Sequence, residues 1–201
     1  MKTLTTHPPI SMVVWPENTL LRNVILAFAG SILLAISAKV QVPLAPAGLF
    51  PVPVTMQTFV VLGLGAAYGW RLAGATLLLY LSQGALGLPV FASGGGMAYL
   101  VGPTAGYLFG FLIAAVAVGW LAERGVDRSP ARMFPAMLFG NFLIYVPGLI
   151  WLAGYIGMEK AVIAGLQPFV FGDLLKCALA AIVFPAAWSF LKKKWSDQAN
   201  G

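Results

Sequence analysis

PVFASGGGMAYLVGPTAGYLFGF, residues 89–111, breaks an apolar chain with a glycine-rich loop flanked by aromatic residues and then resumes as a helix. Gly94, Gly95 and Gly96 allow backbone conformations closed to other residues and let the chain approach a ligand closely. Phe91, Tyr99 and Tyr107 offer flat surfaces beside them. Around Pro103, glycines at 102, 106 and 110 recur every four residues, which leaves a helical stripe without side chains where a second helix can press against backbone. Loop and helix together read as one wall of a small-molecule pocket near the outer face of a membrane. The alternative reading is a flexible connection between two spans.

The rest of the chain supplies the membrane. Of its 201 residues 60% are hydrophobic and 9% charged, with a mean hydropathy of +0.88, whereas globular domains carry about a quarter charged residues. The expected fold class is therefore an all-α integral membrane protein forming a single domain. Cys177 is the one cysteine and lies in an apolar run, so no intramolecular disulfide is expected. Residues 1–20 lack the sustained apolar core and small-residue cleavage site of a signal peptide and read as a short leader, with His7 a solvated bystander. Residues 192–201 read as a basic tail. The net charge of +6 does not indicate nucleic acid, because the basic residues sit at span ends instead of forming one face.

A span needs about 20 mostly apolar residues. Six candidates fit, at roughly 21–38, 54–69, 71–88, 102–122, 133–157 and 167–191. With a cytoplasmic N-terminus the inner side collects Lys2, Arg22, Arg71, Arg124, Arg128, Arg132, Lys192, Lys193 and Lys194, and the outer side keeps Lys39 and Lys160. Nine against two satisfies the positive-inside rule and predicts that both termini are cytoplasmic. Loops at about 39–53, 89–101 and 158–166 then open outward. In the first of them Pro43, Pro46, Pro51 and Pro53, with Gly48, exclude a regular helix, and Val42, Leu44, Leu49 and Phe50 suggest an apolar lid on the outer surface.

Polar residues within the spans are few. Thr55, Gln57 and Thr58 enter the second span at its outer end, either as caps or as ligand contacts. Ser82, Gln83 and Tyr80 lie toward the outer end of the third. Asn141 is deep in the fifth, as interhelical glue or pocket lining, and Tyr145 and Pro147 predict a bend near it. In the first span Ala27, Ser31 and Ala35 form a small-residue stripe suited to a close helix contact, of this chain or of a partner.

Asp173 and Lys176 carry the strongest functional signal. Three residues apart, they share a helix face, about 60° from one another. Counted from Pro168, they lie roughly 7 and 12 Å inside the last span. Ionisable groups at such depth are costly and usually face a cavity or each other; an ion pair without a task can often be replaced by apolar residues at no loss. No enzyme constellation accompanies them: there is no HExxH, no cluster of Cys and His for a metal, and no phosphate-binding Gly-rich loop ending in Lys-Ser/Thr. No cofactor is expected.

Four blocks, VPVTMQT at 52–58, GLPVFASGGG at 87–96, GPTAGYLFGF at 102–111 and FGDLLK at 171–176, resemble the BioY family, the biotin-specific substrate-binding components of energy-coupling-factor vitamin transporters. The similarity runs from about residue 20 to 190, and Ala105 stands where the family often has glycine. The resemblance implies a six-helix bundle that captures biotin from outside. It also implies partnership in the cytoplasmic membrane with a transmembrane coupling subunit and two ATPase subunits. It gives Asp173 and Lys176 a place in the binding site and Ala27, Ser31 and Ala35 a contact with the coupling subunit. Biotin suits such a pocket independently: a carboxylate accepts from a ureido N–H, a lysine pairs with the carboxylate tail or the ureido oxygen, and Phe91, Tyr99 and Tyr107 enclose the rings. A different vitamin, or a membrane enzyme, would be the other classes of function.

Overall fold

The computed structural model describes residues 7–42 and 52–199, and the helices in it follow the apolar runs of the sequence. In chain order they are α1 (Ile10–Val14), α2 (Leu20–Lys39), α3 (Gln57–Ala85), α4 (Ala105–Ala122), α5 (Pro130–Ile156), α6 (Met158–Gly165) and α7 (Gln167–Ala199). A two-residue ladder, β1 (Gln41–Val42) against β2 (Val54–Thr55), closes the proline-rich segment antiparallel, with Gln41 opposite Thr55. Leu44, Leu49 and Phe50 of the expected lid lie outside the described residues.

Among the described residues five helices are long and apolar enough to cross a membrane. One of them, α3, is two helices joined at Gly69, whose φ of 76° and ψ of 168° are not helical. The joint is a reversal. Gln57 Nε2 donates to the Tyr80 hydroxyl at 2.8 Å, although 23 residues of straight helix would part them by about 35 Å. Arms 57–68 and 70–85 are thus antiparallel, hinged at a residue whose backbone demands glycine. The sequence places a break at this point because Arg71 and Trp70 interrupt the apolar run.

Glycine-to-backbone contacts lock α3 and α4 together. A Cβ on Gly65 would lie 2.6 Å from the Ala115 carbonyl oxygen, and one on Gly119 would lie 2.6 Å from the Trp70 nitrogen. Of the stripe read at 102, 106 and 110, two members press on a second helix, Gly106 on Pro147 and Gly148 of α5 and Gly110 on Ile144, whereas Gly102 precedes α4 and a Cβ there would lie nearest Ala98 and Tyr99 of its own turn. Helix α5 runs on through Pro147 without ending.

Three expectations change. The leader is in part structured, for α1 is docked, with Ser11 buried and its carbonyl accepting from the Arg22 guanidinium. His7 is not a solvated bystander; its ring packs on Gly125. Residues 158–166, read as a loop, are mostly α6.

The small-residue stripe of α2 also finds its neighbour within the chain. Ala27 and Ser31 are buried, Ser31 donates to Gln83 of α3, and Gly30 faces Thr76 and Tyr68. Ala35 is half-buried. The expected partner contact does not fit Ala27 and Ser31 here, because small residues at four-residue spacing attract whichever helix is near, and α3 is covalently close.

The bundle has two unlike ends. Gly69, Gly125, Asp127 and the start of α2 gather at one end, with Arg22, Arg71, Arg124 and Arg128. At the other lie β1, β2, the glycine loop, α6 and the start of α7, and there a cavity opens.

Candidate functional site

Six structural elements converge on this cavity. Its empty space is about 530 Å³, counting the open mouth. β2 and the start of α3 contribute Thr55, Gln57 and Thr58, and the start of α4 contributes Thr104 and Tyr107. Tyr99, from the 3-10 turn Met97–Val101, Tyr145 from α5 and Phe169 from α7 complete an aromatic enclosure. The aromatic rings stand edge-on: Tyr145 meets Tyr107 at 90° and Phe169 at 65°, with centroids 6.3 Å apart in both pairs. This geometry leaves flat faces for a ligand ring and hydroxyls at its margins.

Each wall is held from behind. The Thr55 hydroxyl accepts from the Gln57 backbone N–H at 3.2 Å, a free donor at the start of α3, although the N-cap of that helix is Met56. The Gln57 side chain is bonded to Tyr80, whose own hydroxyl donates to the Val90 carbonyl at 3.0 Å. Tyr107 donates to the Gly165 carbonyl at 2.9 Å, tying α4 to α6 across the cavity.

Asp173 and Lys176 form an ion pair of 3.0 Å, with Asp173 buried. Lys176 Nζ also donates to the Thr55 carbonyl at 2.8 Å and to the Thr58 hydroxyl at 2.9 Å. The Thr58 hydroxyl donates to Asp173 Oδ1 at 3.0 Å, and the Tyr145 hydroxyl donates to Oδ2. A buried pair is tolerated only with such additional bonds. The charges therefore sit one side-chain layer behind the cavity wall, and Thr55, Thr58 and Tyr145 belong to both the wall and the network. Beneath Thr58 a narrow crevice, with room for no more than about one water, reaches Lys176, Asn141 and Cys177.

Of the residues singled out in the sequence, Thr55, Gln57, Tyr99 and Tyr107 line the cavity, and Asp173 and Lys176 adjoin it. Phe91 and the glycine triplet do not line it. Phe91 is fully buried, edge-on to Tyr80 at 5.4 Å and seated against Gly84, where any side chain would collide with its ring. Gly94 and Gly96 have φ of 139° and 100°, and a Cβ on Gly95 would strike the Leu88 carbonyl. The triplet makes a tight return that brings Gly96 N–H to the Gly84 carbonyl at 2.7 Å. Glycine serves the turn, and the loop's contributions to the cavity are Ala92 and Tyr99. Asn141 acts as interhelical glue: its amide donates to Cys177 Sγ at 3.2 Å.

The sequence does not single out Phe169 or Thr104, and it marks Tyr145 only as part of a bend. The adjacent signals were Gly172-Asp173 for Phe169, one turn earlier on the same helix, and Pro103 at the start of α4 for Thr104.

A family model described as the BioY family matches residues 5–193. The biotin transporter BioY of Thermotoga maritima is 37% identical over 165 residues, covering 81% of this chain and 94% of the relative. That of Rhodobacter capsulatus is 39% identical over 157 residues, covering 71% and 81%. The probable biotin transporter BioY of Pyrococcus horikoshii is 37% identical over 152 residues, covering 75% and 86%. Among solved structures, the S-component for biotin from an ECF-type ABC transporter superposes with a TM-score of 0.73 at 22% identity, covering 86% of this chain and 94% of that one.

Proposed function

The chain belongs to the BioY family, and we propose that it captures biotin as the substrate-specific subunit of an energy-coupling-factor transporter. It is a multi-pass membrane protein and a transporter component, not an enzyme. ATP hydrolysis falls to two partner ATPase subunits, joined to it by a transmembrane coupling subunit. The inner, cytoplasmic membrane is its place, with both termini on the cytoplasmic side and six crossings once the two arms of α3 are counted separately. The concentration of Arg22, Arg71, Arg124, Arg128 and Arg132 toward the end opposite the cavity supports that orientation.

The observation that carries the reading is the cavity backed by the Asp173–Lys176 pair. Aromatic rings from Tyr99, Tyr107, Tyr145 and Phe169 enclose the fused rings of biotin. The ureido group displaces the Thr58 and Tyr145 hydroxyls from the pair, so that Asp173 accepts from a ureido N–H and Lys176 meets an oxygen of the ligand. A cationic vitamin finds less support, because the single acid at the cavity is already neutralised by a lysine.

Titration calorimetry of the purified chain with biotin tests the site. Asp173→Asn and Lys176→Ala should each weaken binding by about tenfold or more, equivalent to ~1.4 kcal/mol. Unchanged affinity in both variants would sink the assignment of the pair, and absence of biotin binding in the parent chain would sink the function.

A further inference from the structure

The end of the bundle opposite the cavity carries a second concavity that biotin capture does not use. Its empty space is about 1560 Å³ including the open mouth, and it lies among α1, the start of α2, the Gly69 reversal and the end of α4. Arg22, Arg71 and Arg124 line it against one carboxylate, Glu123. Glu123 lies beside Arg71 and Arg124 and offsets one of the three positive charges, which leaves an excess of two.

Arg22 is the unusual member. It is 2% exposed, its terminal nitrogens reach only neutral acceptors, Asn23 Oδ1 and the Ser11 carbonyl, and its Nε has no hydrogen-bond partner among the described residues. A buried guanidinium normally meets an anion, which repays the loss of water. Arg71 and Arg124 stack on Trp70 and Trp120, 4.9 and 3.2 Å from the ring centroids. Both tryptophans are partly exposed, as at the headgroup level of a bilayer. The same two tryptophans also form the rim of a neighbouring apolar groove of about 1180 Å³, which runs along α4 past Leu112, Val116 and Phe139.

We propose that these two spaces form one site for an anionic phospholipid, its phosphate among the three arginines and an acyl chain in the groove along α4. Charge complementarity selects the head, and the shared Trp70–Trp120 rim makes head and tail continuous. The site is independent of the biotin cavity and does not rest on the reading of that cavity.

Native mass spectrometry of the full chain in detergent tests it, with phosphatidylglycerol, phosphatidylcholine and inorganic phosphate as probes. Phosphatidylglycerol should be retained in preference to phosphatidylcholine. Arg71→Gln combined with Arg124→Gln, which leaves buried Arg22 in place, should cut that retention on the order of tenfold. Ala117→Trp, which fills the groove, should do the same, with the melting temperature of each variant reporting that it is folded. Equal retention of the two lipids overturns the proposal. So does inorganic phosphate held as well as phosphatidylglycerol with Ala117→Trp without effect, which would mark a plain anion site.

Discussion

Tyr145 and Asp173 join α5 to α7 through one hydrogen bond, the phenol donating to Oδ2 while Thr58 and Lys176 hold Oδ1. The carboxylate is thereby reached from the cavity through a tyrosine. Tyr145→Phe keeps the ring between Tyr107 and Phe169 and removes the donor. A hydrogen bond to a charged group contributes about 1.5–3 kcal/mol, and biotin must displace this one to reach Asp173, so the variant should bind biotin more tightly, by up to about tenfold in titration calorimetry, while remaining folded. Affinity within about twofold of the parent would show that the phenol is packing alone.

Replacing Lys176 by Met should separate stability from binding. The single change strands a buried carboxylate, at a cost of about 3–5 kcal/mol, whereas removing both charges with Asp173→Leu and Lys176→Met is close to neutral for stability. The single variant should therefore melt well below the parent in detergent. The double variant should recover most of that loss and still fail to bind biotin. Recovery of binding along with stability would mean that the pair only holds helices together.

How much of this was legible follows from what the bilayer does to sequence patterns. Lengths and breaks survived, since a run must be long enough to cross and Gly69 with Arg71 interrupts one. Asp173 and Lys176 stood out because ionisable groups are rare in spans. Which aromatic residues line the cavity was not readable, because lipid-facing and core-facing sides of a membrane helix are both apolar and amphipathic periodicity vanishes. Phe169 lines the cavity and Phe171, two residues on, is exposed, with nothing in composition to tell them apart. The glycine triplet misled for a related reason: glycine announces an unusual backbone, which here is the turn that seats Phe91.

Two glycines should prove intolerant for different reasons. Gly69→Ala forces a side chain into a left-handed backbone at φ 76°, a strain of about 1–3 kcal/mol. Gly119→Ala keeps helical geometry but drives a methyl into the Trp70 backbone across the α3–α4 contact, a clash also costing about 1–3 kcal/mol. Both should lower the melting temperature, whereas Gly154→Ala, where a Cβ meets open space, should leave it unchanged or slightly raised. Equal tolerance at all three positions would contradict the tight α3–α4 packing.

Asp127 should make stability depend on pH. It lies outside the spans between α4 and α5, buried, with Oδ2 accepting from the Trp188 indole and Oδ1 without a partner among the described residues. Burial raises its carboxyl above the ordinary range, outweighing the Trp188 bond and the nearby Arg128 and His7, which act the other way. The folded chain therefore takes up the proton at higher pH than the unfolded chain does. The stability this adds is fully present below the unfolded pKa and is lost as pH rises through the folded one. Asp127→Asn keeps an acceptor for Trp188 and removes the charge, so its melting temperature should exceed the parent's most near pH ~7 and converge with it toward pH ~4. Comparing the two in a His7→Gln background keeps the neighbouring imidazole out of the measurement. A difference that stays constant across that range would mean that the carboxyl does not titrate where burial places it.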